Sequence, residues 1–163
     1  MNESLKKKIE SDFKTSVEIL EKNRWTTTVK KDQVLDVLRF LRNKGFDHLA
    51  LISCVDWIKE GEFELIYILS SYLAGKERLH LILKTRISRK KPEFETIIPI
   101  FENAEPYERE IHELFGINFN GHPRLEHLLL DRDYEIPPFR KDFDTRKYVK
   151  ETFESIKPVE EEK

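Results

Sequence analysis

The sequence predicts an α/β (α+β) fold: a single domain with a mixed or antiparallel sheet covered by helices, followed by an extended C-terminal arm. Three observations carry that expectation. EFELIYILS (62–70) and RLHLILKT (78–85) alternate with the period of two that a strand imposes. Val34, Leu35, Leu38 and Leu41 recur at helical spacing before Asn43-Lys44-Gly45. From Asp131 onward the periodicity stops, yet Tyr134, Ile136, Phe139 and Phe143 keep recurring. The boundary therefore falls between a domain at 1–130 and an arm at 131–163.

At the start of the chain Leu5, Ile9 and Phe13, followed by Val17 and Leu20, predict an amphipathic helix with lysines toward solvent. WTTTVK (25–30) is aromatic and β-branched, which suits a strand. Asp32 is a candidate cap for a helix running to Arg42. Phe46 to Val55 reads as a central strand ending at Asp56 and Trp57. The next two strands form a hairpin across SYLAGKE, and both faces of 62–70 are partly apolar, as where helices cover one side and something else the other. Lys84, Arg86, Arg89, Lys90 and Lys91 make a basic patch with almost no acidic relief, read first as solvated surface and second as a docking surface. Beyond Pro92 a short helix is expected from Thr96. A better-defined one runs from Pro106 to Gly116, with Tyr107, Ile111 and Leu114 on one face and Arg109 within reach of Glu105 and Glu113. Gly121 and Pro123 bracket a turn before the brief apolar stripe of Leu125, Leu128 and Leu129. In the arm, Pro137-Pro138 forces an extended shape, and a short helix is expected around Lys147–Ile156. Aromatic residues spaced through an irregular segment suit an arm laid on a surface, of this domain or of a partner.

A length of 163 residues suffices for one domain with its own core. The net charge of -2 gives no general footprint for nucleic acid. Cys54 is the single cysteine, which excludes an internal disulfide and a cysteine-built cluster within the chain, and its apolar setting marks it as core filler. The opening MNESLKKKIESDF lacks the apolar centre of a signal peptide, and no stretch approaches the ~20 apolar residues that span a bilayer. A reducing, aqueous compartment is expected, with membrane contact borrowed from a partner.

Catalytic templates fail one after another. His112-Glu113 opens like a zinc-protease helix, but Gly116 stands where the second histidine belongs. His122 and His127 share no clean helical face, and His48 and His80 fall in or beside strands. Glu108, Glu110 and Glu113 flank Arg109 on differing faces, a poor arrangement for paired acid–base work. Ser53-Cys54 and Ser70-Ser71 lie in no nucleophile elbow, and five glycines build no phosphate loop. What remains is GINFNGHPRLE (116–126), a loop of defined shape that exposes His122, Arg124 and Glu126 for recognition, or in which His122 secures its own turn.

Glu108-Arg109-Glu110, Phe115-Gly116-Ile117, Phe119, Gly121-His122-Pro123, Leu125, Leu128-Leu129, Asp131 and Arg140-Lys141-Asp142-Phe143 together resemble the signature of the 30-kDa subunit of respiratory NADH:quinone oxidoreductase (complex I). Val55-Asp56 and the strand at 63–69 are similar as well, so the resemblance covers about Gly45 to Phe143. Glu113 replaces the family's usual Asp, Glu126-His127 a common arginine pair, and Asp144 follows Phe143 where proline is common. Relatives occur in group 4 membrane-bound nickel–iron hydrogenases and ferredoxin-linked complexes.

The resemblance implies a structural and assembly subunit without catalytic, cofactor or metal residues. It would sit peripherally on the cytoplasmic side of the membrane and dock onto a large catalytic subunit (the 49-kDa type or a hydrogenase large subunit) beside iron–sulfur subunits. Iron–sulfur clusters, flavin or a nickel–iron centre would belong to those neighbours, and nucleic acid is not a partner. The NADH:quinone assembly is the first reading, the hydrogenase-related one the alternative, and a free-standing enzyme the remote third. Glu108, Arg109, Glu110, Phe119, His122, Arg124, Phe139, Arg140, Lys141, Asp142 and Phe143 are the expected partner-binding residues.

Overall fold

The computed structural model of the chain describes residues 2–71 and 79–153. Helix α1 (Asn2–Phe13) leads into strands β1 (Val17–Glu21) and β2 (Arg24–Thr28), and a 3-10 turn at Lys31–Gln33 opens α2 (Val34–Asn43). Three long strands follow: β3 (His48–Trp57), β4 (Glu62–Ser71) and β5 (Leu79–Ser88). The short β6 (Glu93–Glu95), α3 (Glu105–Phe115), β7 (Asn118–Asn120) and α4 (Thr145–Phe153) complete the order. Strands β1 to β5 form one sheet in the order β1-β2-β5-β4-β3, antiparallel except where β2 runs parallel to β5. Strands β6 and β7 pair separately, in parallel. The expected mixed sheet is present. The alternation in β4 and β5 yields the expected antiparallel pair, in register from Glu62 and Ser88 to Ser71 and Leu79; most of the expected connecting loop lies outside the described residues.

The two faces of the sheet differ. Phe63, Leu65, Tyr67 and Leu69 of β4, with Leu81, Leu83 and Ile87 of β5, point into the core. There they meet Ile9 of α1, Val34, Val37, Leu38 and Leu41 of α2, and Ile111, Leu114 and Phe115 of α3. Cys54 is buried on this side as core filler. On the opposite face Ile66, Ile68, Ile82 and Val55 are half-buried and lie outside the core cluster. Helix α3 runs along the free edge of β3, where Asn103 Nδ2 and Tyr107 Oη donate to the carbonyls of Leu49 (2.8 Å) and Ala50 (3.1 Å). That capping blunts an edge otherwise open to strand addition.

Several expectations change. The opening helix stops at Phe13, because Lys14 adopts a left-handed φ of 50° and turns the chain, so Val17 and Leu20 fall in β1. Asp32 does not cap α2; it lies inside the 3-10 turn, and no side chain caps that helix. No helix starts at Thr96: its hydroxyl donates to Glu108 and accepts the amide of Ile98, and Pro99 follows two β-branched isoleucines. Helix α3 matches its expectation, with Pro106 in the first turn and Gly116 left-handed (φ 70°, ψ 33°) at its end. The basic patch has acidic relief after all. Arg86 pairs with Glu62 and Glu64, Arg89 with Asp56 and Asp142, and Lys91 with Glu93. In the arm the expected helix begins at Thr145, because Asp144 Oδ1 accepts the amides of Arg146 and Lys147 (3.0 Å each) as an N-cap. Its expected end at Ile156 lies outside the described residues.

Candidate docking surface

Helix α3 buries three charged residues, Glu108, Arg109 and Glu113, and each organises a neighbouring segment. The Glu108 carboxylate accepts the Thr96 hydroxyl at 2.6 Å and the Ile97 amide at 2.7 Å, fixing the chain beyond β6. Burial pushes its carboxyl up to about 7, against the opposing pull of those two donors. Arg109 and Glu113, one turn apart, grip one loop with opposite polarity. Arg109 donates to the carbonyls of Glu126 (2.9 Å) and His127 (2.6 Å). Glu113 accepts the amides of Leu128, Leu129 and Leu130 at 2.9–3.1 Å. Burial works to raise the Glu113 carboxyl, but the amides of Leu128, Leu130 and Leu129 together outweigh it and hold it below the usual range. Arg109 does not pair with Glu113 as expected, since Glu113 is committed to the loop; it pairs with Glu105 at 3.4 Å.

A second clasp seats the arm. Asp56, buried at the end of β3, accepts both Arg89 Nε (3.0 Å) and an Arg89 terminal nitrogen (3.2 Å), and also the Lys141 amide (2.8 Å). Arg89 bridges onward to Asp142. That pairing and the one to Asp56 raise the Arg89 guanidinium, while the Arg89 bond holds the Asp142 carboxyl down. Arg140 donates through Nε to the Phe115 carbonyl at 2.6 Å, and its guanidinium lies 5.2 Å from the centre of the Phe63 ring. Gly116 makes this approach possible: a Cβ there would stand 2.8 Å from the Arg140 guanidinium and 3.0 Å from Pro137, at a backbone angle side chains disfavour. The Phe139 amide donates to the Leu114 carbonyl at 3.0 Å, so the arm completes the end of α3. Further along, Tyr134, Phe143 and Tyr148 pack as an aromatic trio with ring centres 5.3–6.0 Å apart.

The expected partner-binding residues therefore divide. Glu108, Arg109 and Phe119 are buried within the chain, so they shape the surface from beneath rather than face outward. Arg140, Asp142 and Phe143 are engaged by the chain itself. His122 secures its own turn: its Nδ1 accepts the Arg124 amide (3.0 Å), leaving Nε2–H to donate to the Glu105 carbonyl (3.3 Å). Glu110 is half-buried, and Arg124 is exposed, with an outer contact to Glu105 at 3.6 Å. The Lys141 ammonium lies 5.9 Å from the Trp57 ring. Phe139 is 59% exposed, and Leu129 (67%), Leu128 and Ile136 are exposed as well.

Both clamps thus act near the last turn of α3, and the segments they hold carry four exposed apolar side chains, Leu128, Leu129, Ile136 and Phe139, together called the crest. Asp56, Arg89 and Glu113 were not among the expected site residues. The sequence marked Glu113 as a departure from the resembled family's usual Asp, off the face of Tyr107, Ile111 and Leu114, and Asp56 and Arg89 lie too far apart in sequence for spacing to join them. The arrangement offers recognition: apolar side chains preset on a hydrogen-bonded frame lose little freedom on binding. Among the described residues, no group of three or more His, Cys, Asp or Glu side chains could hold a metal ion.

Residues 27–149 match the family of the respiratory-chain NADH dehydrogenase, 30 Kd subunit. The C subunit of the F(420)H(2) dehydrogenase of Methanosarcina mazei is 39% identical over 118 residues, 71% of this chain and 73% of the relative. The C/D subunit of the NADH-quinone oxidoreductase of Yersinia pestis is 34% identical over 128 residues, which span 72% of this chain but 21% of that longer protein. A chain of the membrane-bound sulfane sulfur reductase, an archaeal respiratory membrane complex, superposes with a TM-score of 0.85 at 33% identity, covering 99% of this chain and 96% of that one.

Proposed function

Because the chain belongs to the 30-kDa subunit family of the respiratory-chain NADH dehydrogenase, we propose that it is a docking and assembly subunit of a membrane-bound respiratory oxidoreductase. It grips the large catalytic subunit with the crest of Leu128, Leu129, Ile136 and Phe139. The observation that carries the reading is that two buried charge clamps, centred on Glu113 and Asp56, fix exposed apolar side chains in one geometry. A monomer gains nothing from presenting Phe139 and Leu129 to water, whereas an interface gains buried anchors. The Yersinia pestis relative supports the choice of partner, since there a segment like this chain is one part of a longer protein named for both C and D.

Between the two assemblies, the hydrogenase-related alternative is better supported than the NADH:quinone reading placed first on sequence. The likeness to the sulfane sulfur reductase chain extends over nearly the whole of both chains. The chain is accordingly read as the counterpart of the 30-kDa subunit in a ferredoxin-linked complex of that kind, peripheral on the cytoplasmic side. No helix among the described residues is long and apolar enough to cross a membrane, and attachment is assigned to the partners as part of this reading. Iron–sulfur clusters, and a nickel–iron centre or flavin where the assembly has one, are assigned to those partners. The test is to purify the tagged chain from detergent-solubilised native membranes, identify its companions and assay electron donors. A large subunit and iron–sulfur subunits should co-purify, with oxidation of reduced ferredoxin rather than NADH. NADH oxidation by the same particle would restore the first reading, and a solitary chain would end both.

A further inference from the structure

One face of the main sheet is left outside the core cluster among the described residues. Strand registers set its rows. Thr26, Ile82, Ile68 and Leu51 lie side by side across β2, β5, β4 and β3, and Thr28, Lys84, Ile66 and Ser53 form the row beside them. Arg86, Glu64 and Val55 make the next. The middle of the face is aliphatic, with Ile66, Ile68 and Ile82 half-buried by their strand neighbours and Leu51 exposed, and none of these belongs to the core cluster. On the other side of the same sheet, equivalent rows are covered by α1, α2 and α3.

The charges on this face are unbalanced. Arg86 engages both carboxylates, Glu64 at 2.9 Å and Glu62 at 3.4 Å, and lies 4.5 Å from the centre of the Trp57 ring. Lys84, half-buried between Thr28 and Ile66, has no carboxylate partner among the described residues. Just past Thr28 a cavity of about 550 Å³ opens, lined by Lys14, Lys30, Lys31 and Arg86 together with Phe13 and Val29, and by no carboxylate. The Gln33 side-chain amide donates to the Phe13 carbonyl (3.3 Å) and the Thr15 hydroxyl to the Thr28 carbonyl (2.7 Å), so the walls of that cavity are tied together. The face therefore combines an aliphatic centre with positive charge along its β2–β5 end, where Lys84 stands and Lys14 lines the cavity without a carboxylate, while Lys30 and Lys31 also neighbour Asp32 and Glu95.

We propose that this face receives an amphipathic helix of a partner subunit, one whose apolar stripe is bordered by carboxylates on the side facing Lys84 and the lysine-lined cavity. Aliphatic side chains at helical spacing fill the rows of Ile66, Ile68 and Ile82 as α2 fills the rows opposite. The flanking carboxylates supply the charge that Lys84 lacks and set the direction of the helix. The inference rests on the chain being part of a larger complex, but it concerns a different surface from the crest.

The experiment uses the assembled complex, with p-benzoylphenylalanine replacing Ile68 in the full chain. After illumination of native membranes, the cross-linked peptide is sequenced. The expected product is a segment of another subunit of the same complex, with apolar residues three and four apart and Asp or Glu within two turns of the cross-link. Lys84→Glu should lower its yield roughly tenfold, and Lys84→Gln, which adds no new charge, by less. Should Lys84→Glu impair folding of the chain, the Lys84→Gln comparison carries the test. A cross-link only to a second copy of this chain, a captured segment without acidic residues, or no cross-link while the chain still co-migrates with its large subunit overturns this inference and leaves the crest reading standing. A chain that co-migrates with nothing overturns both.

Discussion

Glu113→Gln is the sharpest perturbation of the frame beneath the crest. Glu113 is 5% exposed and spends both carboxylate oxygens on the amides of Leu128, Leu129 and Leu130. The glutamine oxygen can replace Oε2, which receives all three amides, but Oε1, the second acceptor of the Leu129 amide, becomes an NH2 donor facing that amide. Every bond loses its charge assistance, and the Leu129 amide keeps one acceptor but gains an opposing donor, a loss of about 2–4 kcal/mol from the closed loop. At about 1.4 kcal/mol per factor of ten, hydrogen exchange at Leu128–Leu130 should quicken by roughly 30- to 1,000-fold while exchange in β4 and β5 changes little. The pH dependence follows from the same bonds. The folded carboxyl lies below its unfolded value, so its stabilisation is complete above the unfolded pKa and is lost as pH falls through the lower folded one. The wild-type protein should show that acid-side step, and Glu113→Gln should not. Exchange at these amides within about threefold of wild type would refute the claim that Glu113 holds the crest in place.

The remaining predictions concern the other clamps. Asp56→Asn removes the buried charge that receives Arg89 and the Lys141 amide, so it should cost about 3 kcal/mol or more, lower Tm and open the segment around 137–142 to proteases; an unchanged digestion pattern contradicts the clasp. Glu108 has the opposite pH behaviour to Glu113. Its folded carboxyl is pushed up to about 7 by burial, so the protein loses stability as pH rises from the unfolded value through that point. Glu108→Gln, which keeps the shape, should match wild type near pH 4 and exceed it by up to about 3 kcal/mol at pH 8, read from denaturant midpoints. Phe143→Ala should disorder the Tyr134–Tyr148 pairing at a cost of about 1–3 kcal/mol, visible in near-ultraviolet dichroism, and weaken assembly only by loosening the arm. Lost assembly with unchanged dichroism would assign Phe143 to a partner instead.

Local patterns were legible in the sequence because local geometry produced them. The two-residue period of Phe63–Leu69 gave the central strands, and Pro106 and Gly116 marked the ends of α3. Strand β1 was hidden because Val17 and Leu20 continue the spacing of Leu5, Ile9 and Phe13, and the chain turns at Lys14 without a glycine to mark the place. Thr96 read as a helix cap because its real partner, Glu108, comes from the next helix. The arm's charges read as partner contacts for the same reason: Asp56, Arg89 and Asp142 meet only in three dimensions, and no sequence period records the meeting. The aromatic residues of the arm did carry information. Tyr134, Phe143 and Tyr148 pack on one another, and Phe139 meets Phe115 at the end of α3.

The most direct test of the docking account is recovery of the large subunit from native membranes with a tagged Leu129→Glu, Phe139→Glu chain. Both side chains are largely exposed, so the isolated variant should still fold, losing mainly the edge contact between Phe139 and Phe115. The account predicts that the variant loses its large subunit on mild detergent extraction while the wild-type chain keeps it. A double variant that retains the large subunit in full yield would contradict it.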